Sequence, residues 1–144
     1  MKKITPYGLQ LIAEDGLAST NMTLHLFSGD FTPTDDGDFA VTEGELVELD
    51  ALGYADEDLL GASWSFAEGT LRDGYPVIEA TQTQIDFVLT GAGTAYGWYT
   101  IHNDGTTDHV VWAERFSSAA EIGAGGGTIS INPLHVFGVE EEPT

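Results

Sequence analysis

Ala95-Tyr96-Gly97-Trp98-Tyr99-Thr100-Ile101 is β-prone on both of its faces, Asn103-Asp104-Gly105 follows as a turn signal, and residues 109–116 read as the return strand of a hairpin. The neighbouring sequence repeats the theme. Upstream, Ile85, Phe87 and Leu89 alternate ahead of Gly91-Ala92-Gly93, Ala62, Trp64 and Phe66 alternate with Ser63 and Ser65, and Met22, Leu24 and Leu26 alternate with Thr23 and His25. Downstream, Gly125-Gly126-Gly127 is a turn, and Ile129 and Ile131 form a last strand that ends near Pro133. Period two on short segments means one buried face per strand. Seven or eight such strands with little helix predict an all-β fold, a sandwich or a barrel, and a β-sandwich of jelly-roll-like type is the expectation. Trp64, Phe66, Ile85, Phe87, Leu89, Ile129 and Ile131 are the expected core.

One short N-terminal helix is expected. Thr5 caps it, Pro6 takes the first helical position, Leu9, Ile12, Ala13 and Leu17 follow helical spacing, and Gly16 marks where it can end. The predicted organisation is an N-terminal helical segment over residues 1–20, the sandwich over 21–138, and an acidic disordered tail over 139–144. The stretch from Val41 to Leu60 is mixed and very acidic, and Asp30 to Asp38 is too rich in turn residues for a strand.

Charge is the extreme feature. Four Lys and Arg face 24 Asp and Glu, a formal net charge of −20 over 144 residues. Nucleic-acid binding draws on cations that displace counterions from phosphates, and Lys2, Lys3, Arg72 and Arg115 make no basic stripe. The same charge disfavours anionic membrane surfaces, and no stretch approaches the roughly 20 apolar residues of a helical span. Neither a nucleic-acid nor a membrane partner is expected. With no Cys, disulfides, thiolate metal sites and Cys nucleophiles are excluded. The start of the chain lacks a secretory apolar core, so the expectation is a protein made in soluble form.

The sequence carries few motifs with chemistry of their own. Gly61-Ala62-Ser63-Trp64-Ser65 misses the nucleophile-elbow pattern, and His25, His102, His109 and His135 show no metal-ligand spacing. His102 and His109 flank a turn and read as two exposed hairpin residues. Asp35, Asp36 and Asp38 around Gly37 are candidate calcium ligands, yet the full calcium-loop pattern is missing and turn chemistry alone accounts for them. Paired carboxylates are inevitable among 24 acids, and solvated surface is the simpler account. Neither an enzymatic activity nor a cofactor is expected. In Tyr96-Gly97-Trp98-Tyr99, alternation sends Tyr96 and Trp98 to one face and Tyr99 and Ile101 to the other. One set is core, and the other is a second core face or a contact patch.

Met22-Thr23-Leu24-His25-Leu26-Phe27, then Asp30-Phe31-Thr32-Pro33-Thr34-Asp35, resembles the opening of a family of small virion structural proteins of tailed bacteriophages. Gly53-Tyr54-Ala55, Tyr96-Gly97-Trp98-Tyr99, Trp112-Ala113-Glu114-Arg115-Phe116 and Gly126-Gly127-Thr128-Ile129 before Pro133 resemble its later marks, in the same order. The resemblance spans about residues 5 to 134. It implies a virion protein, associated with head decoration more than with the tail. The acidic stretch from Glu43 to Asp58 and the acidic tail depart from the family's pattern.

The expectation is therefore a capsid decoration (cement) protein on the capsid surface of a virion, with the major capsid protein and copies of itself, as dimer or trimer, for partners. The alternative is a tail or baseplate component, or an adhesion module for host-surface carbohydrate. The expected partner-binding residues are Lys2, Lys3, Leu9 and Ile12 in the N-terminal segment, whose apolar helical face needs a cover, and Tyr96 and Trp98.

Overall fold

Alternating apolar residues put most of the described residues into antiparallel sheets. The structure is a computed structural model, and it describes residues 13–33, 46–69 and 77–138. Nine strands lie in these segments: β1 (Met22–Phe27), β2 (Glu57–Leu59), β3 (Ser65–Glu68), β4 (Val77–Thr81), β5 (Ile85–Leu89), β6 (Gly93–Asn103), β7 (Asp108–Ile122), β8 (Gly127–Ile131) and β9 (Leu134–Gly138). They form a four-stranded sheet of order β2-β1-β6-β7, a three-stranded sheet β3-β4-β9 and a ribbon β5-β8. Every pairing is antiparallel.

The chain falls into two compact units. One comprises residues 1–21, 60–84 and 132–144, the other residues 22–59 and 85–131. The core residues expected in a single sandwich are shared out between them, with Trp64 and Phe66 in the first unit and Ile85, Phe87, Leu89, Ile129 and Ile131 in the second; Phe66 and Ile85 are half-buried and the other five buried.

The first unit sets a helix against the β3-β4-β9 sheet. Residues 13–18 are helical, and Ala13 packs with Ile78 under Phe66 and Phe137. The helix runs past Gly16, where an end was expected. The hydroxyls of Ser19 and Thr20 take the carbonyls of Asp15 and Gly16, so the last turn is closed by side chains and not by a glycine. Trp64 is buried, yet it precedes β3, because Gly61–Ser63 is a 3-10 turn and not the start of a strand. Ala13 and Leu17 are both buried, so in the described part of the helix the apolar face is already covered. The expected helix start and the residues Lys2, Lys3, Leu9 and Ile12 lie outside the described residues, as do Asp35, Asp36, Asp38 and the acidic tail.

In the second unit, β1 and β6 are the inner strands of the four-stranded sheet. Met22, Leu24 and Leu26 share a face with Trp98 and Thr100, while His25 and Phe27 share the opposite face with Tyr99 and Gly97. Both faces are covered: Leu24, Leu26, Phe27, Trp98 and Tyr99 are all buried. Each such side chain contributes about 1.5–3 kcal/mol by leaving water. The ribbon shows the same logic on one face, with Phe87, Leu89, Ile129 and Ile131 buried and Asp86, Val88, Thr128 and Ser130 exposed. The β6–β7 ladder slips twice, between Ala95 and Gly97 and between Thr100 and Ile101. At the second slip Val111 is the extra residue, and it is exposed.

Candidate functional site

Three arrangements in the larger unit bring chemistry-bearing side chains together. The first centres on Arg115. Its guanidinium donates to the Phe31 carbonyl at 2.9 Å, pairs with the Asp30 carboxylate and sits over the Tyr96 ring, 5.3 Å from its centroid. Arg115 stands opposite Gly97 on β6, and Gly97 stands opposite Phe27 on β1. The place is filled: a Cβ on Gly97 would run into the Glu114 carbonyl and the Phe27 ring. Asp30-Phe31, Tyr96-Gly97 and Arg115 are far apart in sequence, and the fold joins them in one clamp.

The second is a polar chain on β1. The Thr23 hydroxyl meets His25 Nε2 at 2.7 Å, His25 Nδ1 meets Glu48 Oε1 at 2.7 Å, and the Tyr54 hydroxyl donates to the same oxygen at 3.0 Å. The Leu26 amide donates to the Tyr54 oxygen at 3.1 Å, and His25 stacks on Tyr99 at 5.0 Å between centroids. Burial pushes the phenols of Tyr54 and Tyr99 far above their ordinary range, and the nearby Glu48 carboxylate adds to both effects. Both phenols remain neutral at any physiological pH, and Tyr54 donates. Hydroxyl, imidazole and carboxylate stand in the order of a nucleophile relay. However, Thr23 lies on an inner strand, paired with Asp58 on one side and Ile101 on the other, so the surrounding backbone amides serve the ladder. What the chain of contacts does is tie the segment carrying Glu48 and Tyr54 to β1. The Leu49 amide donates to the Leu26 carbonyl, and the Ser28 amide to the Val47 carbonyl, along the same edge.

The third is the hairpin tip. Asp104 accepts from the amides of Thr106 and Thr107 and from the Thr106 hydroxyl, and meets His109 Nε2 at 2.8 Å. The His109 bond, then the amides, hold the Asp104 carboxyl well below the usual carboxylate range. His102 and His109 face each other across the ladder, with His109 turned to Asp104. No group of three or more His, Asp or Glu among the described residues is arranged to hold a metal ion.

Of the contact residues expected from sequence, Trp98 is 4 % exposed and packs edge-on against Trp112, with ring centroids 6.3 Å apart. Its ring belongs to the core. Tyr96 is half-buried beneath Arg115. The ladder slip beside Tyr96 takes it out of simple alternation with Trp98, and it packs instead with the cluster of Phe27, Leu46 and Tyr99. Sequence reading missed Glu48 and Tyr54, because nothing in their spacing points to His25, 23 residues from Glu48. No helix among the described residues is long and apolar enough to cross a membrane. No family profile, no curated protein and no solved structure matches the chain.

Proposed function

We propose that this chain is a structural binding module of a tailed-bacteriophage virion, a decoration protein that binds the major capsid protein and stabilises the head shell. The observation that supports it best is the Arg115 clamp. The stretches that resemble the phage family are not scattered decoration, since Asp30, Phe31, Tyr96, Gly97 and Arg115 interlock in one place. A set of marks that serves to hold a fold fits a protein whose product is a surface. Binding in preference to catalysis is further supported by the β1 polar chain, where Thr23 sits inside a fully used ladder.

A jelly-roll-like sandwich is part of the same proposal, supported by the one-sided burial of the β5–β8 ribbon and the two-sided burial of the four-stranded sheet. So is assembly of the chain into dimers or trimers, with high salt relieving the repulsion between copies of charge −20. Shell binding repeats one modest interface over many equivalent places, and avidity between linked copies then replaces affinity per copy. The test is to add purified protein to heads of the phage that encodes it and follow co-sedimentation. Saturable binding at a ratio of hundreds of copies per head is expected, and binding to isolated tails alone would overturn the reading.

A further inference from the structure

The turn at residues 51–54 holds a leucine in water. Tyr54 N donates to the Ala51 carbonyl at 3.1 Å, closing a turn in which Gly53 takes a φ of 83°, and Thr90 N donates to the Leu52 carbonyl at 2.7 Å, pinning the turn to the chain after β5. Neither contact allows much change. A Cβ on Gly53 would come within 2.9 Å of Thr90 N, and one on Gly91 within 3.1 Å of the Leu52 side chain. Leu52, at the apex of this fixed turn, is nevertheless 73 % exposed, and Val88, whose carbonyl faces Gly53, is 60 % exposed. A leucine at the tip of a mobile loop needs no explanation. One on a turn whose backbone is already fixed leaves binding less freedom to take away.

Its surroundings select the partner. Asp50 and Asp56 flank the turn and are exposed, Glu57 and Asp58 follow, and Asp86 is exposed on β5 beside Val88. Between Met22 and Leu59 and between Ile85 and Ile131 the single Lys or Arg is Arg115, which is engaged with Asp30 and Phe31. The same unit of a second copy would meet this surface with carboxylates of its own.

We infer that Leu52, with Val88 beside its turn and the acidic rim of Asp50 and Asp56, is the plug by which the protein docks onto a basic protein surface containing an apolar socket. This rests on the decoration reading and names the surface that performs it. Long-range attraction between acidic rim and basic socket steers the approach, and burial of the leucine holds the complex.

The test uses the full chain and heads of the encoding phage. Leu52→Glu is expected to weaken head binding by at least about tenfold with an unchanged thermal unfolding curve, because an exposed position tolerates the change. Leu52→Met is expected to bind as the parent does, and Val111→Glu, an equally acidic change on exposed β7, is expected to have no effect. Binding of the parent is expected to weaken as salt rises. Heads that bind Leu52→Glu as tightly as the parent overturn this inference and leave the decoration reading standing. Failure of the parent to bind heads at all overturns both. A Leu52→Glu chain that loses self-association in sedimentation while keeping head binding identifies a second copy as the occupant and also overturns the inference.

Discussion

In the middle of the β6–β7 hairpin, Gly97 is pressed between the Phe27 ring and the Glu114 carbonyl while Arg115 reaches across to Phe31. At its tip, among the described residues, the side chains of Asn103, Asp104, Asp108 and His109 bond to one another and to the turn between them. The same two strands are thus held by distant packing at one place and by local hydrogen bonds at the other. Around Gly97 the packing leaves no room for a Cβ, so small changes there are felt strongly. The tip is solvated, and its bonds exchange readily for bonds to water.

The largest expected effect is at the middle. Gly97→Ala forces the ladder or the Phe27 ring to move, and is expected to cost about 3 kcal/mol or more, read as a lowered urea midpoint at unchanged slope. A stable Gly97→Ala chain would erase the contrast. Arg115→Met comes next. It keeps bulk beside Tyr96 but leaves the Phe31 carbonyl without its charged donor, and a loss of about 1–2 kcal/mol is expected. Asp30→Asn is expected to cost less than about 1 kcal/mol, since the Asp30 carboxylate is largely in solvent. A larger effect from Asp30 than from Arg115 would move the weight of the clamp from hydrogen bond to ion pair.

The smallest effect is at the tip. The folded carboxyl of Asp104 titrates below its ordinary 3.8, so its contribution to stability is complete above that pH and is lost as pH falls through the depressed folded value. An NMR titration is expected to place its midpoint clearly below that of an unperturbed Asp. Asp104→Ala is expected to speed amide exchange at Gly105 to Thr107 while the amides around Gly97 keep their protection. Loss of protection at both places would mean that tip and middle open as one.

The contrast also accounts for what the sequence made legible. Asn103-Asp104-Gly105 announces the turn because everything that stabilises it lies within five residues. Period two announces β5 and β8 because each buries one clear face, and β1 because Met22, Leu24 and Leu26 are buried while Thr23 and His25 are only partly so. The clamp is harder to read, since Arg115 and Phe31 are 84 residues apart and only the fold makes them neighbours. Strands β4 and β9 escaped for a related reason. They pair with each other across most of the second half of the chain, and Pro133, read as a terminator, stands just ahead of β9, where a missing amide costs no ladder bond. Trp98 and Tyr99 are buried on opposite faces of a doubly covered sheet, so alternation alone could not tell core from contact there.

The central claim is that the protein is a repeated element of a phage head. Quantitative mass spectrometry of purified virions, with heads and tails separated, tests it most directly. The account predicts this chain in the head fraction at hundreds of copies per particle, in fixed ratio to the major capsid protein. A handful of copies confined to tails, or none in the virion, would contradict it.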